Sequence, residues 1–299
     1  MSQKLRFGVI TLQNVPWERE VERWKHIESL GFDSAWLADH FVDPTRPSSP
    51  WFEAWTLLAA LATHTTRIRM GTLVTCTAWR NPAFLARQAL TVDHLSNGRL
   101  ELGLGAGARG AIDSSYAMTG TDDWAPQERV GRFREVVEIV DQLLRNPVSS
   151  YEGRYYELKD TTMSPAPVQK PRPPLTIGAL GPEMLKITAR YADTWNSFGG
   201  MGLSAEEMLE ATRKRNAFLD EYCAKIGRDP GTLRRSLLLY DAPAETAYSS
   251  MDGFREVFDQ YTDAGITEFI INYPFTERHI PIFENIAREI IPELRDDAG

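Results

Sequence analysis

The chain is predicted to be an α/β protein, a (β/α)8 TIM barrel with a hairpin and a Pro-rich insertion after the fourth helix. Three observations predict this. Strand-like and helix-like stretches alternate from end to end over 299 residues, a length that suits one large α/β domain. The stretch Arg67 to Gly107 spells out one complete unit: strand, polar loop, helix, strand, glycine loop. Its two loops both follow the C-terminal ends of strands, where α/β folds bind ligands.

The elements follow in order. Leu5 to Ile10 reads as a strand, and Trp17 to Leu30 as an amphipathic helix ending at Gly31. Asp33 to Leu37 is a second strand, followed directly by Ala38-Asp39-His40. Glu53 to His64 is a helix and Ile68 to Val74 a third strand. Pro82 suits a first helical position, because its missing N–H is an orphan there. That helix ends near Ser96-Asn97-Gly98, residues that accept a left-handed cap. Arg99 to Leu104 is a fourth strand. Pro126 to Arg145 carries Phe133, Val136, Val137, Val140 and Leu144 at helical spacing. Ser149 to Leu158 is a hairpin turning at Glu152-Gly153, and a proline-rich run leads to a strand at Leu175 to Ile177. Pro182 to Tyr191 is a helix and Thr194 to Ser197 a strand. Ser204 to Ile226 is a helix opened by a capping-box pattern, Ser204 with Glu207. Leu233 to Leu239, Met251 to Ala264, Thr267 to Ile271 and Ile280 to Leu294 complete the alternation. A doubly wound sheet would place a boundary near Pro165 to Pro174. The βα alternation resumes directly after that run, so residues 1–299 are read as a single domain.

Hydrophobic residues make up 42% and charged residues 25%, with a formal net charge of −8. That balance fits a full core. It disfavours nonspecific binding to nucleic acid or an anionic membrane, and suits an enzyme acting on a small-molecule substrate. The two cysteines, Cys76 and Cys223, form no CxxC and no disulfide framework, so a reducing cytoplasm is the expected location. The first apolar run is too short for a signal-peptide core. No stretch approaches the ~18 apolar residues of a membrane helix.

Asp39-His40 sits at a strand end, where a histidine can exchange a proton or hydrogen-bond a cofactor ring. A loop histidine beside a capping aspartate is the alternative. Asp93-His94 lies late in a helix and reads as a helix-end or interface pair. His26, His64 and His279 share no metal-ligand spacing, so no metal site is expected. Three glycines occur in Gly103 to Gly107, and from Gly105 to Gly110 the letters read G-x-G-x-x-G. The following residues do not continue as an amphipathic helix, so the dinucleotide fingerprint fails its structural test. Close approach of a flat ring, or tight turn geometry, explains the glycines instead. Gly178-Ala179-Leu180-Gly181 opens a helix and is a candidate phosphate site or a plain turn. Trp51, Phe52, Trp55, Trp124, Trp195 and Phe198 are candidates for the wall of a planar pocket or for core. No GxSxG or Walker sequence is present.

These pieces together resemble the luciferase-like monooxygenase superfamily, and most closely its coenzyme F420-dependent oxidoreductases. The matching segments are GFDSAWLADHF, TTRIRMGTLVT, RNPAFLARQALTVDHLSNGRLELGLGAG, QERVGRFREVVEIVDQLL, YEGRYYEL, PVQKPRPPLTIGALGP and ARYADTWN. The resemblance implies a deazaflavin or flavin at the C-terminal rim, with His40 and Asp39 catalytic and His40 beside the ring. It implies a non-prolyl cis peptide at Leu73-Val74, with Thr75 following along the cofactor wall. Gly105, Ala106, Gly107 and Ala108 are expected near the ring or its ribityl chain, and Gly178, Ala179, Leu180 and Gly181 at the phosphate. The similar sugar-phosphate dehydrogenases carry a glutamate where this chain has Ala108, which argues against glucose 6-phosphate as substrate. Arg109 and Asp113 are the candidates to replace it, and the loop Ala108 to Ala125 is expected to set substrate identity. F420 is the expected cofactor and FMN the alternative, the latter serving a monooxygenase supplied by a partner reductase. A noncatalytic flavin-binding barrel is the third reading. A homodimer is what the family suggests.

Overall fold

The computed structural model describes residues 4–108, 110 and 112–297. In chain order the elements are β1 (Arg6–Thr11), α1 (Trp17–Ser29), β2 (Ser34–Leu37), α2 (Ala54–His64), β3 (Arg69–Thr72), β4 (Thr75–Cys76) and α3 (Pro82–Leu95). They continue with β5 (Leu102–Gly105), α4 (Ser115–Thr119), α5 (Pro126–Arg145), β6 (Val148–Glu152), β7 (Glu157–Thr162) and β8 (Leu175–Gly178). The last are α6 (Pro182–Tyr191), β9 (Thr194–Ser197), α7 (Ala205–Lys225), β10 (Arg234–Leu238), α8 (Asp241–Ala247), α9 (Met251–Asp263), β11 (Glu268–Asn272), α10 (Ile280–Asn285) and α11 (Ile291–Asp297). With β3 and β4 taken as one interrupted strand, and the β6–β7 hairpin set aside, the chain keeps the (β/α)8 order.

Two compact units are distinguished. One comprises Met1–Thr11, Arg23–Trp36 and Gly178–Gly299. Its strands run in the order β2-β1-β11-β10-β9. Pairing is parallel along β1, β11, β10 and β9, with Phe7 opposite Phe269 and Ser236 opposite Glu268. Phe7, Phe258 and Phe269 pack ring to ring at 4.8–6.0 Å, adding directional aromatic contacts to the burial of their area. Trp24 and Trp195 are fully buried, and each indole N–H finds an oxygen: Trp24 donates to Thr11 Oγ1 at 3.1 Å and Trp195 to the Ala179 carbonyl at 2.9 Å. The capping box of α7 is present as read from the sequence: Glu207 N donates to Ser204 Oγ and Ser204 N to Glu207 Oε2. The final helical stretch is not continuous. A π-helical turn at Ile286–Ile290 separates α10 from α11, and the short α8 precedes α9.

The other unit comprises Leu12–Glu22 and Leu37–Ile177. Here β4 pairs with β5 and β5 with β8, all parallel, while Met70 of β3 bridges Leu100. The predicted strand Ile68 to Val74 is split: β3 ends at Thr72 and the ladder resumes at Thr75, with a cis peptide bond at Leu73-Val74 between them. Asn81 caps α3, accepting from Ala83 N and Phe84 N. Asp93 and His94 fasten the proline-rich run. Buried Asp93 accepts from Val168 N at 2.7 Å and Gln169 N at 3.2 Å, and His94 Nε2 meets the Ala166 carbonyl at 2.9 Å. The β6–β7 hairpin is tied to α5 by Glu135, which accepts from the backbone of Arg154, Tyr155 and Tyr156. Among the described residues no helix is long and apolar enough to cross a membrane.

Candidate active site

The site is built in the second unit, from the segments that follow β2, β4 and β5. Asp39 and His40 leave the end of β2 together but take different partners. Asp39 is buried and faces Arg80, whose Nη2 donates to Oδ1 at 2.6 Å and Nε to Oδ2 at 3.3 Å. The same Oδ2 accepts from Cys76 N at 2.9 Å. Arg80 also donates to Glu53 at 3.0 Å, the carboxylate that caps α2. Burial pushes the Asp39 carboxyl up, against the pull of Arg80 and the Cys76 N–H. For Arg80, burial is outweighed by Asp39 and Glu53, which raise the guanidinium. Asp39 thus stitches the β2 end to β4 and the segment after it, while the His40 ring takes its hydrogen bond elsewhere.

His40 is oriented by Asp113, a residue 73 positions away, with 2.9 Å between Nδ1 and Oδ2. Asp113 Oδ1 accepts from Ser115 N at 2.9 Å at the start of α4. Burial alone would raise the Asp113 carboxyl, but hydrogen bonds from His40 and Ser115 hold it down at about 2. The His40 carbonyl accepts from Trp51 Nε1 at 2.8 Å, and the Trp51 ring stands edge-on to the imidazole. The His40 side chain is one-third exposed, and its Nε2 has no hydrogen-bond partner among the described residues. The sequence marks Asp113 only as a candidate replacement for the missing glutamate; Arg109 lies outside the described residues.

Leu73, Val74 and Thr75 form a bulge seated on the glycines of β5. A Cβ on Gly103 would stand 1.9 Å from the Thr72 carbonyl oxygen, and one on Gly105 2.4 Å from Val74 Cγ2. The space beside these two glycines is filled by the neighbouring strand, so protein packing alone demands them. Thr75 is buried, its hydroxyl 2.5 Å from that of Thr72. Gly103→Ala is expected to cost about 3 kcal/mol or more, since backbone atoms must move. Gly181→Ala, with nothing within 4 Å of the added carbon, is expected to cost about 1 kcal/mol or less. Thermal unfolding of the two variants tests the contrast, and equal losses would refute it.

Ala106, Gly107 and Ala108 are half-buried beyond β5. Gly107 has a φ of 80°, and a Cβ there would collide with Tyr116 Oη and Cys76 Sγ. Arg129, buried near the start of α5, clamps this loop. Its Nη1 donates to the Ala108 carbonyl and, at 2.9 Å, to Tyr116 Oη. Its Nη2 reaches Asp123 Oδ1 and the Trp124 carbonyl. Burial pushes the Cys76 thiol up to about 11, which leaves it an inert neighbour of Tyr116 rather than a nucleophile. Arg129→Ala is expected to lose about 2–3 kcal/mol through the unpaired carbonyls and phenol. It is also expected to raise proteolytic cleavage between Ala108 and Trp124; an uncleaved loop would refute the clamp.

Gly178 to Gly181 lies at the junction of β8 and α6. In the first unit, Ala179 N donates to the Asn196 carbonyl, and Arg215 Nε donates to the Leu180 carbonyl at 3.0 Å. Of the candidate pocket aromatics, Trp195 and Trp55 are core, while Trp124 stacks on the Arg132 guanidinium at 4.2 Å. Among the described residues no cluster of metal-ligating side chains is found.

The family model for luciferase-like monooxygenases matches residues 4–289. The chain belongs to that family. This luciferase-like chain is 34% identical over 200 residues to the F420-dependent glucose-6-phosphate dehydrogenase of Amycolatopsis mediterranei, covering 65% of the chain and only 58% of that relative's length. It is 32% identical over 315 aligned positions to the enzyme of the same name from Tsukamurella paurometabola, covering 90% and 91% of the two chains. Among solved structures, it superposes on an F420-dependent secondary alcohol dehydrogenase in complex with an F420-acetone adduct with a TM-score of 0.81. That likeness has 19% identity and covers 96% and 100% of the two chains, so it speaks for the fold.

Within the second unit, the luciferase-like chain fits a bound flavin-type ring on two observations. The one-third-exposed imidazole leaves one nitrogen free, and the half-buried backbone of Ala106 to Ala108 is fastened at the Ala108 carbonyl by Arg129.

Proposed function

We propose that this chain is an F420-dependent oxidoreductase that transfers hydride between a small organic substrate and the deazaflavin. The observation that carries this reading is the 32% identity over 90% of the chain to a relative named F420-dependent. Bound F420 supplies the carbon that accepts or gives hydride. The residues proposed to face it are His40, Leu73, Val74, Thr75 and Gly105 to Ala108. Gly178, Ala179, Leu180 and Gly181 are proposed to hold its phosphate. His40 handles the proton at Nε2, the nitrogen left free by Asp113. Asp39, tied to Arg80 and Cys76, holds the segment that presents His40. With alanine at position 108, no acid stands where the sugar-phosphate enzymes are expected to carry one, so the substrate is proposed to be other than glucose 6-phosphate. The reading includes a single domain over residues 1–299, a homodimer and a cytoplasmic location.

Titration of the purified protein with F420 and with oxidised and reduced FMN, followed by fluorescence quenching, tests the proposal. Saturable F420 binding without FMN binding is the expected result. The reverse pattern would replace the proposal with an FMN-dependent monooxygenase fed by a reductase.

A further inference from the structure

We propose that Asp113 is the positioning residue for His40, holding the imidazole in the tautomer with a proton on Nδ1 and a free lone pair on Nε2. The inference deepens the proposed function and rests on it for the role of His40. A neutral imidazole has one donor and one acceptor nitrogen, and the hydrogen bond made by one decides the state of the other. Here Nδ1 lies 2.9 Å from Oδ2 of a buried carboxylate, a pure acceptor when ionised. The carboxylate has little freedom to turn, because its other oxygen is taken by Ser115 N at 2.9 Å. Asp39, the neighbour in sequence, is spent on Arg80 and Cys76. Trp51 meets the imidazole only with a ring edge.

The orienting carboxylate is carried by the loop between β5 and α5. That loop is tied through Tyr116, one residue after Ser115, to the Arg129 clamp. The carboxylate that fixes the proton on His40 therefore sits on the same clamped segment that is expected to choose the substrate. The chain has no acid at position 108 and places its carboxylate behind the histidine instead.

The test uses the cofactor-free full chain labelled with 15N-histidine. Long-range 15N–1H correlation spectra report which ring nitrogen carries the proton, and a His40→Gln variant identifies the signals of His40 among the five histidines. The parent is expected to show His40 with Nδ1 protonated. In Asp113→Asn the amide oxygen stays with Ser115 N, so the NH2 group faces Nδ1 and forces the opposite tautomer. Turnover of that variant with F420 is expected to fall about a hundredfold or more, with F420 affinity changed less than about threefold, well under the tenfold that corresponds to 1.4 kcal/mol. A parent spectrum with Nε2 protonated overturns the proposal, even if Asp113→Asn does not fold. So does an unchanged tautomer in a folded Asp113→Asn. If the chain fails to bind F420, the proposed function falls while the spectra still decide the pairing.

Discussion

His40→Ala is expected to lower turnover by about 10²- to 10⁴-fold, the range for loss of a positioned general acid or base. At 1.36 kcal/mol per tenfold, that is about 3–5 kcal/mol of transition-state stabilisation. The affinity for F420 is expected to change far less. The imidazole offers the site one nitrogen, whereas the bulge at Leu73-Val74-Thr75 and the backbone of Ala106 to Ala108 owe their shape to other contacts. The Thr72–Thr75 hydroxyl pair, the Val74 seat on Gly105 and the Arg129 clamp all remain in the variant. Steady-state kinetics beside a cofactor titration separate the two effects. Unchanged turnover would remove His40 from the reaction, and a parallel loss of binding and turnover would make it a cofactor ligand instead.

Arg80→Ala is expected to destabilise the fold by about 3–5 kcal/mol at neutral pH, the cost of leaving one member of a buried ion pair alone. Asp39 has 2% and Arg80 14% of its side chain exposed. The pH dependence has a definite sign. Without the guanidinium, burial raises the Asp39 carboxyl further above its unfolded value, so the folded variant holds a proton that the unfolded chain has released. The destabilisation is absent below the unfolded pKa and complete only above the raised folded one. Thermal unfolding is therefore expected to show the variant nearest the parent in mild acid and furthest at neutral pH. Adding Asp39→Asn should recover part of the loss, since a neutral amide still accepts from Cys76 N. A gap that stays constant with pH, or a double variant no better than Arg80→Ala, would show that the pair is not the cause.

Local signals carried most of the fold into the sequence. The proline-opened helices at Pro82, Pro126 and Pro182 and the capping box at Ser204 begin where their residue chemistry places them. The Leu73-Val74 peptide bond is cis where the resemblance implied. Short helices were not legible: α4 and α8 have too few residues for a periodic face. The π-helical turn at Ile286–Ile290 keeps the hydrophobic spacing of a continuous helix and so left no mark. The histidine was visible from its place after a strand, but its partner was not. Asp39 stands next to His40 in sequence, yet neighbouring residues at a strand end point to opposite sides, and the carboxylate that orients the ring comes from another loop. Arg80 and Arg129 lie within the motifs RNPAF and QERVGRF, each with a polar residue beside it (Asn81 and Glu128), where an arginine reads equally well as solvent-facing. Only long-range geometry shows them turned inward.

The clamp at Arg129 defines what an engineer is free to change. Asp113, Tyr116 and Asp123 are committed to His40 and Arg129, so they form the fixed frame of the loop between β5 and α5. Ile112 and Met118, half-exposed or more, hang from that frame without bearing on it. Libraries randomised at those two positions would vary the loop surface while the His40–Asp113 pair and the Arg129 clamp stay in place, whereas wholesale replacement of the loop would remove both sets of contacts.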